Sequence, residues 1–198
     1  RPGTPGYQRL SPTDLAAEAA RAACNDALDL ATLAPHIDAL FAVRTMADSQ
    51  PAPLRAVHAP FGGPDKVPRA VARRLGLDPA LCVYSLVCGA EPQRLVGEAC
   101  ERLAAGELTM VLLTGGEAIS TTRAAKAAGE TLDWHESDDG PVEDRRGNIG
   151  VLRTRHMNDH GLLAPPTLYP LFEHARRGRL GQSRSACAQA MGELLAPF

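Results

Sequence analysis

The sequence predicts an α/β fold, and three neighbouring stretches carry that prediction. Leu81–Val87 reads as an apolar strand closed by Cys88-Gly89, and Pro92 opens a helix that Gly106 stops. Thr109–Leu113 is then a second apolar strand, ending in Thr114-Gly115-Gly116-Glu117. A strand, a helix and a strand of these lengths form a parallel crossover unit.

The elements follow in chain order. Residues 1–10 are loop-like, and Ser11-Pro12-Thr13-Asp14 supplies an N-cap with proline in the first turn. A helix over 11–30 follows, with Leu15, Ala19, Ala22, Ala23, Ala27 and Leu30 as its apolar stripe. Asp38–Arg44 reads as a short buried strand. Residues 47–68 hold five prolines and no periodicity, so they read as a loop. A short helix over Val67–Leu75 ends at Gly76. In the helix after Pro92 the apolar positions are Leu95, Val96, Ala99, Cys100 and Leu103.

The character changes from residue 119. An Ala-rich helix, Ser120–Ala128, leads into the polar stretch 131–148, where Trp134 is expected to anchor a surface loop. Two helical segments follow, near 168–178 and 182–196, with one further candidate strand at Ile149–Leu152. The division expected is 1–118 as an α/β domain and 119–198 as an α-rich excursion from its sheet.

Composition narrows the function. The chain of 198 residues carries 21 basic against 23 acidic residues, so nothing draws it generally towards nucleic acid. No apolar run approaches the roughly 20 residues of a membrane span. The five cysteines are odd in number, dispersed and without C-x-x-C spacing, which speaks against a zinc ribbon or a disulfide framework. Reduced thiols and a cytoplasmic location fit best.

Cys88 is the leading catalytic candidate. It stands at the carboxyl end of a strand and ahead of a helix, where α/β sheets bind ligands and helix N–H groups favour a thiolate. The alternative is a small buried residue, since strand alternation places Cys82, Tyr84, Leu86 and Cys88 on one face. Glu91 also stands against catalysis, because a nearby carboxylate opposes a thiolate. Gly115 and Gly116 permit close backbone approach, to the Cys88 loop or a ligand, or simply form a strand exit. His156 and His160 have i, i+4 spacing but lack the glutamate of a zinc-protease motif and read as a solvated loop, so no metal site is expected. Arg145, Arg146, Arg153 and Arg155, then Arg176, Arg177 and Arg179, read either as anion-binding clusters or as solvated faces.

Taken together, SPTDLAAEAARAACNDA, VCGAEPQRLVGEACERLAAGE and TMVLLTGGEA resemble the amino-terminal half of a thiolase. In that family a strand ends at the nucleophilic cysteine in a pattern like C-G-S-G-L-Q-A, and a later strand ends in G-G-x-E. Cys88-Gly89-Ala90-Glu91-Pro92-Gln93 lies along the first pattern without a gap, with Ala90-Glu91 in place of Ser-Gly. Gly115-Gly116-Glu117 resembles the second, one residue shorter. Tyr169–Leu194 is similar to the helical part of the sterol-carrier-protein thiolase branch and of acetyl-CoA acetyltransferases.

The resemblance implies a thiolase-like layered fold, its partial parallel sheet flanked by helices, with 119–198 as the inserted loop domain. It implies a first strand ahead of Arg1, and an acid and a base (a His and a second Cys) beyond Phe198. The implied activity is acyl transfer from acyl-CoA thioesters through Cys88, with Gly89, Gly115 and Gly116 shaping the active-site loops. Arg145, Arg146, Arg153, Arg176 and Arg177 would bind coenzyme A, which is substrate rather than a tightly bound cofactor. Thiolases dimerise through the strand before the nucleophile, here Leu81–Val87, so a homodimer is expected. A second reading keeps the fold but not the reaction: a non-catalytic subunit that binds acyl-CoA or a protein partner.

Overall fold

A computed structural model describes residues 3–49, 55, 57–138, 142–147, 154–162 and 165–197. They form two compact units, Arg1–Ile149 and Gly150–Phe198. The fold is α/β, a parallel sheet flanked by helices.

Helix α1, Pro12–Ala27, begins in a capping box: the Ser11 hydroxyl accepts Asp14 N–H at 3.1 Å, and the Asp14 carboxylate accepts Ser11 N–H at 2.9 Å. Its buried face is Thr13, Ala16, Ala17, Ala20 and Cys24, not the stripe expected from the sequence. An alanine-rich helix reads as apolar on several sides, so the contact surface is set by what can approach closely. Small side chains allow Thr114 of the sheet to donate its hydroxyl to Ala16 O at 2.7 Å. A short helix α2, Leu30–Leu33, precedes strand β1, Ala39–Ala42.

Helix α3, Val67–Leu75, ends at Gly76 with φ 70, the left-handed cap that glycine adopts without strain. Strand β2, Leu81–Tyr84, helix α4, Glu91–Ala104, strand β3, Val111–Thr114, and helix α5, Ile119–Ala127, complete the expected order. A fourth strand, β4, is only Asp144–Arg145, and lies in the stretch expected to be α-rich. The sheet runs β3-β1-β2-β4, and all pairs are parallel. Ala39 stands opposite Leu81 on one side and Val111 on the other.

The sheet buries both faces unequally. Leu40, Ala42, Cys82, Tyr84 and Leu112 pack under α1 and α3. On the other side Ala39, Phe41 and Val83 meet Leu95 and Ala99 of α4. Val96 and Leu103, expected on the apolar face of α4, are 42% and 39% exposed, and Cys100 is exposed too. One helix over this face covers only a narrow stripe.

The second unit contains α6, Arg155–Asp159, α7, Pro165–Arg179, and α8, Arg184–Leu195, the last two where helices were expected. Ser183 caps α8 by accepting Ala186 N–H at 3.1 Å. The candidate strand Ile149–Leu152 lies outside the described residues.

Candidate functional site

Parallel strands deliver their loops to one edge, and three loops leave the carboxyl ends of β1, β2 and β3 there. The β2 exit carries Cys88. The strand stops at Tyr84 rather than Val87 because Ser85 turns the chain. Its hydroxyl accepts Arg44 N–H and donates to Leu86 O, both at 2.9 Å, while Arg44 Nε donates to Ser85 O at 2.9 Å. The expected alternation therefore holds for Cys82 and Tyr84 and ends there.

Cys88 is half-buried in the turn before α4, and its carbonyl accepts Glu91 N–H at 3.2 Å. Glu91, only 2% exposed, accepts from Arg94 Nε and Nη2 at 2.6 and 2.8 Å and from Leu86 N–H at 3.2 Å. The hydrogen bonds from Arg94 hold its carboxyl below the usual carboxylate range. Glu91 thus closes the loop and is neutralised by Arg94, which lessens its opposition to a thiolate. Burial pushes the Cys82 thiol up to about 12 and raises that of Cys24, which disfavours a thiolate at either.

The exits of β1 and β3 stand apart around a cavity of about 1130 Å³. Its walls are the first turn of α1, Thr45–Asp48 after β1, the segment from Val57 to Val67, Glu117–Ile119 with Thr122, Arg123 and Lys126 of α5, Trp134–Glu136, and Arg145. Trp134 anchors its loop, as expected. Its ring meets Phe61 edge-on at 5.3 Å, and its backbone N–H donates to Phe61 O at 2.8 Å. Gly62, at φ 74, lies so close under the His135 imidazole that a Cβ would meet it at 2.3 Å.

Gly116 makes the close approach foreseen for the Gly-Gly turn, but its neighbour is α1. A Cβ there would lie 2.6 Å from Pro12 O and 2.9 Å from Ala16 N. Gly115 similarly faces Val43 Cβ at 3.0 Å, while Gly89 has open space around it. The tight turn brings Glu117 to the cavity wall, where its carboxylate accepts Met46 N–H. Burial holds the Glu117 carboxyl above the usual carboxylate range, so it keeps its proton to higher pH.

The cations divide into committed and uncommitted ones. Arg145 stacks over the Tyr84 ring at 5.2 Å, donates to Asp65 O at 3.2 Å and lies 3.7 Å from Asp48. Tyr84 itself donates its hydroxyl to Asp48 at 2.7 Å. Arg146 turns away into a two-point pair with Glu98 at 2.6 and 2.7 Å and a bond to Asp144 at 2.6 Å. Arg123 and Lys126, one turn apart on α5, line the cavity, and no described residue engages either side chain.

Of the five arginines expected to bind coenzyme A, Arg145 alone lines this cavity. Arg176 and Arg177 belong to α7 of the second unit, with Glu173 3.9 Å from Arg176 and Arg177 donating to Gln182 O at 3.4 Å. Arg153 lies outside the described residues. Cys88 and Gly89 do not line the cavity. The His156 and His160 rings pack at 4.2 Å on α6. Among the described residues no group of three His, Cys, Asp or Glu is placed to hold a metal ion. The sequence reading passed over Arg123 and Lys126; their signal was a cation pair at i, i+3 directly after the Gly-Gly-Glu exit.

No protein-family model matches the chain, and no curated protein matches it. Among solved structures it is similar to a monomeric SCP2-thiolase-like protein type 1 from Mycobacterium smegmatis, with 30% identity and a TM-score of 0.62. The match covers 97% of this chain, which spans 31% of the length of that protein.

Proposed function

We propose, from its likeness to an SCP2-thiolase-like protein, that the chain handles acyl-CoA thioesters and transfers their acyl group through Cys88. The observation that supports acyl-CoA handling best is the cavity at the carboxyl edge of the sheet, with two cations that no described residue engages. Arg123 and Lys126, with Arg145, offer donors to the phosphates of coenzyme A. The apolar wall of Met46, Val57, Ile119 and Trp134 suits the rest of the molecule.

In the transfer step the Cys88 thiolate attacks the thioester carbonyl. The carbonyl–sulfur bond to coenzyme A breaks, the released thiolate takes up a proton, and Cys88 carries the acyl group as a new thioester. The acetyl-CoA acetyltransferase and 3-ketoacyl-CoA thiolase reactions both pass through such an intermediate. Cytoplasmic placement suits the reaction, since the thiol must stay reduced; no helix among the described residues is long and apolar enough to cross a membrane.

A second reading, acyl-CoA or partner binding without transfer, is favoured by one observation: Cys88 lies outside the cavity lining. Incubation with acetyl-CoA carrying a labelled acetyl group separates the two. The transfer reading expects label on the Cys88 peptide and none in Cys88→Ala. Equal labelling of Cys88→Ala removes Cys88 as nucleophile, and saturable binding without label favours the second reading.

Assembly divides the resemblance from the relative. Thiolases pair through the strand before the nucleophile, whereas the Mycobacterium smegmatis protein is described as monomeric. Ligand binding in the cavity needs no second copy, because one chain supplies the walls described.

A further inference from the structure

Acyl transfer requires that a ligand in the cavity, at the exits of β1 and β3, be met by Cys88, which leaves the sheet at β2. Arg44 runs between the two. Its backbone follows β1 and leads directly into Thr45–Asp48 of the cavity wall. Its side chain lies instead on the β2 exit. Nε donates to Ser85 O at 2.9 Å, three residues ahead of Cys88, and Nη2 donates to Arg146 O just past β4.

The guanidinium also lies over the Tyr84 ring, 4.4 Å from its centre. Tyr84 donates its hydroxyl to Asp48 at 2.7 Å, and Arg145 lies over the same ring at 5.2 Å. Two groups of the cavity wall thus rest on the side chain that Arg44 covers. The charge is unfavourable in itself. Among the described residues no carboxylate pairs with Arg44, and burial above all holds its guanidinium below the usual arginine value, with Arg145 and Arg55 adding to the shift and Tyr84 and Asp48 opposing it. An uncharged side chain would avoid that cost. What the planar head supplies is a rigid fork of donors that spans two carbonyl groups, and a flat face for Tyr84.

Each exit has other ties. Ser85 N–H donates to Ala42 O at 3.0 Å, the Ser85 hydroxyl accepts Arg44 backbone N–H, and Leu86 N–H donates to Glu91. On the wall, Arg145 donates to Asp65 O, and Met46 N–H to Glu117. Those bonds fix the Cys88 turn to the sheet and α4, and the wall to itself. The Arg44 side chain joins the turn to the wall.

We propose that Arg44 is a positioning residue, which sets the turn carrying Cys88 against the cavity wall that holds the ligand. Its effect on acyl transfer rests on the transfer reading above, whereas its hold on the turn does not.

Iodoacetamide labelling, followed peptide by peptide, tests the hold without a ligand. Arg44→Met keeps the backbone bond to Ser85 and removes both side-chain bonds. Its Cys88 should react about tenfold faster than in the parent, with exposed Cys100 unchanged and buried Cys24 and Cys82 still protected. An unchanged Cys88 rate overturns the proposal, as does labelling of Cys24 and Cys82 in step with Cys88, which marks general loosening. Arg44→Lys keeps the charge without the fork, so its Cys88 should react at a rate between the two. A lysine variant that matches the parent overturns the two-carbonyl tie.

Acetyl-CoA with a labelled acetyl group reads the chemistry. In Arg44→Met the maximal rate of transfer to Cys88 should fall about tenfold, with the half-saturating concentration within about twofold of the parent. A raised half-saturating concentration at an unchanged maximal rate would make Arg44 a ligand contact and overturn the positioning role. If the parent takes up no label, the transfer reading fails by itself, and the alkylation rates still decide whether Arg44 holds the turn.

Discussion

At the same edge of the sheet, the exits of β1 and β3 surround open space while the exit of β2 is closed on itself. Around Cys88 the charged groups are committed: Glu91 to Arg94, Arg44 to Ser85, and Arg146 to Glu98 and Asp144. Around the cavity Arg123 and Lys126 are left without partners among the described residues. The difference separates two kinds of evidence. A motif marks where a reactive atom stands, whereas unbalanced charge beside a cavity marks where an anionic ligand is held.

The largest effect should come from the glycine that shapes the cavity. Gly116→Ala places a methyl group against two backbone atoms of α1, Pro12 O and Ala16 N, which cannot move without shifting the helix. We expect a loss of about 3 kcal/mol in urea unfolding. A loss below ~1 kcal/mol would mean that the β3 exit and α1 are not held together as described.

Next is the closure of the Cys88 loop. Glu91→Gln weakens charge-assisted bonds from Arg94 and should cost about 1.5 kcal/mol. The parent should also lose stability in acid. Because the Arg94 hydrogen bonds depress the folded-state value of Glu91, its contribution is present above the ordinary glutamate value near ~4.3 and is lost as pH falls through the lower folded value. Melting temperature against pH should therefore fall less steeply across that window in Glu91→Gln. Identical profiles would deny Glu91 this role.

The smallest effect should be at Gly89, where an added methyl meets nothing within 4 Å. Gly89→Ala should stay within about 0.5 kcal/mol of the parent in the same urea titration. A cost matching that of Gly116→Ala would erase the contrast between the two loops.

Much of the fold was legible because its signals are local. The capping box at Ser11, the Gly76 stop and the apolar runs of β1, β2 and β3 each need only neighbouring residues. The end of β2 was less so, since Ser85 turns the chain through bonds to Arg44, which is distant in sequence. β4 was hidden altogether. Asp144-Arg145 has no strand character of its own and pairs only because β2 is beside it. The buried face of α1 was misread because alanines surround the helix and only close approach to Thr114 selects among them. The candidate site was legible as a motif at Cys88 and as one arginine, Arg145. The cavity was not, because its walls come from segments spread from Ser11 to Arg145.

The claim that the cavity holds the anionic part of an acyl-CoA is tested most directly by titrating acetyl-CoA calorimetrically into the parent and into Arg123→Ala/Lys126→Ala. Saturable binding by the parent, weakened about thirtyfold in the variant, is the predicted result, equivalent to roughly 2 kcal/mol of lost charge-assisted bonding. Equal affinity in the two proteins, or no saturable binding by the parent, would contradict it.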